Sequence, residues 1–160
     1  MASTNLFRGL SKAAREEVLG FFTPRDYEPN DLIVAMGENG IEMFYIHKGR
    51  ATVKVDKGVV AELGPGDTFG EVCLADGGVR SASVFAIERV KAYALDAKSL
   101  DALADSRPLY AAILLLNVLR LVGEKLRNAD AVIEKHLSKE RAQQIADQKS
   151  IFKKILARVS

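Results

Sequence analysis

The sequence predicts an α+β fold, in which helices flank a barrel or sandwich of short strands. From Tyr27 to Ala94, short apolar runs alternate with glycine-bearing turns, which is typical of evenly spaced strands in such layers. These runs lie too close together for crossover helices, so a parallel α/β sheet is not expected. After Lys98 the apolar residues recur every three or four positions, which predicts helices.

The composition is that of one globular domain with an appended helical tail. The chain has 160 residues and a net charge of +2, and its basic residues are interleaved with acidic ones, so nucleic-acid binding is not indicated. We find neither a signal peptide nor an apolar run that would span a bilayer. The lone cysteine, Cys73, suits a reducing compartment. We therefore expect a cytoplasmic protein without a membrane span.

The first element is predicted to be a helix over residues 3–23. Ser11 is a suitable N-cap, and an apolar stripe follows it at residues 18–22. Pro24 lacks an amide hydrogen and is expected to end this helix.

Six apolar runs predict the strands. Glycine-bearing turns separate several of them, at residues 37–40, 48–49, 57–58 and 64–67. The runs are, in order, Leu32–Ala35, Met43–Ile46, Ala51–Val55, Val59–Leu63, Ser81–Ile87 and Val90–Leu95.

The region after Lys98 predicts helices alone. A short helix covers residues 98–105, and Pro108 suits the first turn of a second helix that runs to about Leu137. Its heptad-like seam packs on the barrel, on a second copy, or on both, and a homodimer is favoured beyond Leu126. The seam consists of Leu115, Leu119, Val122, Leu126, Ala129, Ile133 and Leu137.

The tail is predicted to form a further helix, with Ser138 as its cap and a basic amphipathic face over residues 139–160. Such a face commonly folds back on its own domain. It is also suited to an acidic partner or a membrane surface.

The stretch Phe69–Val84 carries an acid and a base separated by glycines. Gly70 permits an unusual backbone conformation, and Glu71–Ala75 can form one helical turn whose free amides favour an anion. Arg80 carries a permanent charge on a fork that fits phosphate oxygens, so this stretch is interpreted as a pocket for a phosphate-bearing ligand.

The carboxylate of Glu71 would be repelled by a phosphate, so it should accept from a neutral group such as a sugar hydroxyl. Ser81 adds a hydroxyl beside the arginine, and Ala82 leaves room there. On spacing alone, a structural salt bridge between Glu71 and Arg80 is equally compatible with the sequence.

The stretch resembles the phosphate-binding cassette of cyclic nucleotide-binding domains. That cassette has Phe-Gly-Glu, a short apolar run and a loop, then Arg-x-Ala-Ser/Thr-Val. The chain has Phe69-Gly70-Glu71, Val72-Cys73-Leu74 and Arg80-Ser81-Ala82-Ser83-Val84 at the family's spacing, and the resemblance extends over residues 6–127. It implies a β-roll, which is a small jelly-roll barrel (a double-stranded β-helix), with N-terminal helices and a long C-terminal helix.

The resemblance also implies a role for each matching residue. Arg80 would pair with the cyclic phosphate, and Glu71 would accept from the ribose 2′-hydroxyl. The long helix would close over the base as a lid, with Val122, Lys125 and Leu126 as its expected contacts. The implied ligand-binding set is Val60 and Leu63 against the base, Phe69, Gly70, Glu71, Val72 and Cys73 at the start of the cassette, and Arg80, Ser81 and Ala82 at its end.

Two positions depart from the family pattern. Val79 stands where many members have proline, which loosens the loop, and Asn30 replaces a glycine in an early turn that asparagine tolerates. A hydroxyl residue after the arginine favours cGMP in some eukaryotic members. The Arg-Ser-Ala sequence is nevertheless similar to that of the bacterial catabolite activator protein, which responds to cAMP, so we favour cAMP over cGMP.

The expected function is a stand-alone cyclic nucleotide sensor that is not an enzyme, needs no cofactor or metal, and acts on an unidentified protein effector. The binding domain would cover residues 1–127, and residues 128–160 would form a helical extension. The sequence shows no nucleophile–base pair, and the separated His47 and His136 do not form a metal site. The alternative is an interaction module that keeps the barrel and binds no nucleotide.

Overall fold

The computed structural model describes residues 5–56 and 58–159, and it shows two four-stranded sheets with helices before and after them. The predicted α+β class is therefore confirmed. The elements are α1 (Lys12–Leu19), β1 (Thr23–Tyr27), β2 (Leu32–Val34), β3 (Glu42–Lys48), β4 (Ala51–Val55), β5 (Gly58–Leu63), β6 (Thr68–Phe69), α2 (Glu71–Asp76), β7 (Ser83–Ala86), β8 (Val90–Asp96), α3 (Ala97–Ser106) and α4 (Pro108–Val159).

The chain crosses repeatedly between the two sheets. The strand order is β1-β8-β3-β6 in the first sheet and β2-β7-β4-β5 in the second. All of the paired strands are antiparallel, as the short connections require. Strand β3 lies inside the first sheet, between β8 and β6, and it contributes to both hydrophobic clusters of the domain.

Strand β3 is buried on both faces because successive side chains point to opposite sides of a sheet. Met43 and Tyr45 pack into a cluster formed with residues of the helices, such as Leu103 and Leu114. Phe44 and Ile46 pack into a second cluster between the sheets, formed with Val84, Ala86, Ala92 and Ala94. One strand therefore holds the helices with one face and lines the barrel interior with the other.

The N-terminal helix is shorter than predicted. Helix α1 begins after Ser11, whose Oγ accepts from the amide of Ala14 at 3.2 Å, so the predicted cap is confirmed. The expected end at residue 23 is wrong, because Thr23–Tyr27 form β1 with Pro24 opposite Tyr93. Strand β1 is an edge of its sheet, where the missing amide hydrogen of a proline is tolerated.

Other boundaries also differ from the prediction. Strand β6 has two residues and no apolar run of its own, and β7 begins at Ser83 rather than Ser81. Helix α4 continues to Val159, so Ser138 does not begin a separate helix. Asn30 adopts a φ of 73°, as its tolerance of the left-handed region allows.

The chain divides into two compact units, residues 1–122 and 123–160. Among the described residues, the first contains every strand, and the second consists of the remainder of α4. The predicted boundary at residue 127 stays a prediction. Across the described ranges, no helix combines the length and apolar character needed to cross a membrane.

The predicted seam of α4 is exposed at several of its leucines. Leu119, Leu126 and Leu137 are exposed to 68%, 61% and 49%. The predicted turn residue Lys57 lies outside the described residues. The side chains of Ile133, His136 and residues 148–160 also lie outside them, and these include the C-terminal part of the predicted basic amphipathic face. Packing of the seam against a second copy stays a prediction.

A buried asparagine ties α4 to the N-terminal segment. Asn117 is fully buried, and its Nδ2 donates to the main-chain oxygens of Leu6 at 2.9 Å and Arg8 at 2.8 Å. Its Oδ1 accepts from Arg120 Nη1 at 3.1 Å. A buried amide that satisfies two carbonyls contributes mainly because its loss leaves them unpaired.

Replacing Asn117 is expected to destabilise the domain. Asn117→Ala should lower the free energy of unfolding by about 2–3 kcal/mol, because two carbonyls lose their donor. Asn117→Leu keeps the volume but removes the donors, so it should also be destabilising. Urea unfolding followed by circular dichroism measures both, with the exposed Gln144→Ala as control. An Asn117→Leu protein as stable as the wild type would contradict this role.

Candidate functional site

The guanidinium of Arg80 is the central charged group of the site. Arg80 is only 8% exposed, and its Cζ lies 5.7 Å from the ring centroid of Phe44. Within the described ranges, Arg80 forms no ion pair, and its buried Nη1 has no hydrogen-bond acceptor. Because a buried cation without a countercharge is costly, this arrangement is suited to an anionic ligand.

Two glycines make room for this guanidinium. A Cβ at Gly40 would lie 2.6 Å from Arg80 Cζ, and one at Gly70 would overlap Arg80 Nη1 and lie 2.7 Å from the main-chain oxygen of Glu42. Gly70 also has a φ of 78°, in the left-handed region that glycine adopts without strain. Larger residues at either position would push the arginine out of its place.

The main chain of Arg80 is held by the turn at residues 37–40. The amide of Arg80 donates to Glu38 O at 2.8 Å, and Arg80 O accepts from the amide of Gly37 at 2.9 Å. The amide of Gly40 donates to Gly78 O at 2.9 Å. Arg80 thus precedes β7 in a loop that pairs with another loop.

The first half of the cassette forms a short helix, as predicted. Gly70 caps α2, and Glu71, the first residue of α2, is only 6% exposed. Cys73 is buried as well, whereas Val72 is 56% exposed. Gly70 therefore connects the two charged residues of the site, because Glu71 follows it directly and the guanidinium of Arg80 approaches it.

The remaining predicted residues lie around this centre. The Phe69 ring stacks on Phe44 with centroids 4.9 Å apart and an angle of 10° between the planes. Ser81 is exposed, and Ala82 is half-buried. On β5, Val60 is 60% exposed and Leu63 is half-buried against the cluster between the sheets. The structure thus brings Phe69, Gly70 and Arg80 together at Phe44, with Glu71 adjacent.

Two residues beside Arg80 were not predicted to belong to the site. Gly40 is recognisable in the sequence as a turn residue, and Phe44 as part of an apolar run. Nothing in the local pattern connects either one to an arginine 36 or more positions later, since this proximity is created by the pairing of the loops.

The expected lid residues lie on α4. Val122 is half-buried at the end of the first unit, and Lys125 and Leu126 are exposed residues of the second. Their role as ligand contacts stays a prediction. No group of three or more potential metal ligands was found among the residues that the structure describes.

Sequence comparison identifies relatives of this chain. A family model of the cyclic nucleotide-binding domain matches residues 24–107. A cyclic nucleotide-gated potassium channel of Rhizobium etli is 38% identical over 108 residues, which is 68% of this chain and 30% of the channel. A cyclic AMP receptor protein of Thermus thermophilus is 32% identical over 139 residues, which is 84% of this chain and 62% of the receptor. The chain thus spans less than two thirds of either relative.

Solved structures confirm the β-roll. The crystal structure of Thermus thermophilus catabolite activator protein aligns with a TM-score of 0.72 and 30% identity over 81% of this chain and 61% of that chain. A cyclic nucleotide-binding domain from Methylobacillus flagellatus aligns with a TM-score of 0.71 over 81% of this chain and 76% of that chain. At 23% identity, this second likeness shows the fold alone.

Gly70→Ala is expected to be more destabilising than Gly66→Ala. Both positions have positive φ, 78° and 98°, so alanine strains the backbone by about 1–2 kcal/mol at each. Only at Gly70 does the new Cβ meet other atoms, and this overpacking should add about 1–3 kcal/mol. Urea unfolding of both variants measures the difference, and equal losses of stability would contradict the close packing at Gly70.

Proposed function

The chain belongs to the cyclic nucleotide-binding domain family, and we propose that it is a sensor that binds cAMP through the stretch Phe69–Val84. The buried Nη1 of Arg80, which has no acceptor among the described residues, is the observation on which this proposal rests. A cyclic phosphate carries one negative charge and oxygens that would accept from this group. Hydrogen bonds between two charged groups are the stronger kind, so this contact would contribute much of the affinity.

The other residues of the cassette serve different parts of the ligand. Gly70 gives the guanidinium the room to lie where it can meet the phosphate, and Ser81 and Ala82 flank the phosphate. Glu71 accepts from the ribose 2′-hydroxyl, since a carboxylate can only accept when ionised. Val72 and Cys73 follow on α2 and offer main-chain amides to the phosphate.

The base lies against β5 in this proposal. Val60 is 60% exposed and Leu63 contributes to the cluster between the sheets, so the two provide an apolar surface next to the barrel interior. Burial of this surface by a purine would be favourable. The choice of adenine is supported by the Arg-Ser-Ala sequence and by the 32% identity with a protein named as a cyclic AMP receptor.

Helix α4 would transmit ligand binding to the effector protein. In this proposal Val122, Lys125 and Leu126 close over the base, and the shift of the helix changes a contact with an effector protein. Only a difference in ligand affinity between the open and closed arrangements can drive such a change. A regulator of this kind needs no catalytic group, membrane span or nucleic acid. Its location in the cytoplasm and its pairing as a homodimer along α4 belong to the same proposal.

Arg80→Ala is expected to lower the affinity for cAMP at least about 30-fold, since truncating one partner of a buried charge pair costs about 2–5 kcal/mol. Arg80→Lys keeps the charge but loses the forked pair of donors, so it should lower the affinity less than Arg80→Ala does. Isothermal titration calorimetry measures these affinities, with Arg89→Ala as a control at an exposed arginine.

The ligand-free Arg80→Ala protein should keep its melting temperature, because the variant removes a buried cation that lacks a countercharge. A folded Arg80→Ala protein with wild-type affinity for cAMP would show that cAMP does not bind at this site.

A thermal-shift comparison should identify the ligand. At a hundred times its Kd, cAMP should stabilise the protein by about 2.7 kcal/mol. Cyclic GMP and linear AMP should stabilise it less at equal concentration, and so should 2′-deoxy-cAMP, which gives Glu71 no hydroxyl to accept from. A larger shift with cGMP would reverse the choice of base. No shift with either cyclic nucleotide would favour an interaction module that does not bind nucleotide.

A further inference from the structure

The guanidinium of Arg80 lies against a stacked pair of aromatic rings. Its Cζ is 5.7 Å from the centroid of Phe44, which itself stacks on Phe69 at 4.9 Å. Phe44 and Phe69 are opposite residues of the paired strands β3 and β6, and both are almost fully buried. The sheet therefore fixes the position of the ring that the arginine contacts.

Gly40 bounds the guanidinium from another direction. A Cβ there would lie 2.6 Å from Arg80 Cζ and 2.9 Å from Arg80 Cδ, and its three nearest neighbours all belong to this side chain. The φ of Gly40 is not in the left-handed region, so alanine is compatible with its backbone. Glycine is needed at this position because of the arginine and not because of the turn.

The aromatic contact, unlike an ion pair, leaves the N–H donors of the guanidinium available. An aromatic face attracts the cation through its quadrupole and occupies no N–H donor. A carboxylate in the same place would occupy the donors and compete with a phosphate. In the described part of the chain, Nη1 accordingly has no acceptor, although the arginine is buried.

We propose that Phe44 and Gly40 are positioning residues that hold the guanidinium of Arg80 in its ligand-binding orientation before the ligand arrives. The main-chain hydrogen bonds of Arg80 to Gly37 and Glu38 fix the other end of the same residue. An arginine ordered in advance loses less conformational freedom on binding, which raises affinity. This inference rests on the proposed function, because it concerns the contact of Arg80 with a cyclic phosphate.

A measurement without ligand tests the contact itself. In the ligand-free protein, the ring current of Phe44 should shift the Nε–Hε resonance of Arg80 in a ¹⁵N–¹H NMR spectrum. Phe44→Leu should remove this shift, and Phe44→Tyr, which keeps the ring, should preserve it. The resonance is assigned through its loss in Arg80→Lys. An Arg80 resonance that does not respond to Phe44→Leu would overturn the proposal.

Calorimetry with cAMP tests the consequence for binding. Phe44→Leu should lower the affinity about three- to tenfold, because the guanidinium then has to be ordered when the ligand binds, and Phe44→Tyr should restore it. Gly40→Ala should also lower the affinity, because its Cβ displaces the guanidinium while Phe44 is unchanged. Gly58→Ala is the matched control, since its Cβ would only meet Val55 O at 3.7 Å.

The outcomes separate this proposal from the proposed function. Wild-type affinity in both Gly40→Ala and Phe44→Leu would overturn the positioning role. If Phe44→Leu does not fold, Gly40→Ala and the Phe44→Tyr spectrum still decide the matter. A wild-type protein that binds neither cyclic nucleotide, but whose Arg80 resonance depends on Phe44, would overturn the proposed function and uphold the positioning of Arg80.

Discussion

Burial of the Arg80 guanidinium is the constraint on which the arrangement of the site depends. A charge taken out of water needs room, contacts that offset part of its lost hydration, and a fixed main chain. Gly40 and Gly70 give the room, and Phe44 gives an attractive surface that leaves the donors available. Most of the sequence features around the site can be understood from this one requirement, including two turns that are far apart in the chain.

The same constraint connects the site to the helices. Strand β3 presents Phe44 to the arginine and, one residue to either side, presents Met43 and Tyr45 to the cluster that holds the helices. A shift of Phe44 toward or away from the guanidinium would therefore also displace Met43 and Tyr45 on the other face of the same strand. Packed interiors transmit such shifts because they contain little free volume. Strand β3 therefore connects the surroundings of Arg80 to the helices of the first unit.

The local pattern of the sequence was sufficient for elements that depend on neighbouring residues. The Ser11 cap, the short helix after Gly70 and the left-handed Asn30 follow from rules that act over a few positions. Strand β1 could not be predicted in this way, because Pro24 is tolerated only at a sheet edge, and edges are decided by tertiary pairing. The same holds for Gly40 and Phe44, whose proximity to Arg80 arises from the pairing of distant loops. The resemblance located the cassette, but it carried no information about what supports the arginine.

An unsatisfied buried donor also has a consequence for binding. A buried donor left unpaired typically costs about 1–3 kcal/mol, and Nη1 of Arg80 is such a donor within the described residues. In the proposed function, a phosphate pairs with this donor, so it binds more tightly where the guanidinium is held in place than where the guanidinium is displaced. Because Phe44 and Gly40 already hold the guanidinium there without ligand, this pairing contributes affinity, and a shift of α4 has to come from the other contacts of the ligand. A site that holds its cation on an aromatic face, and not in a salt bridge, therefore keeps the donor available for the ligand.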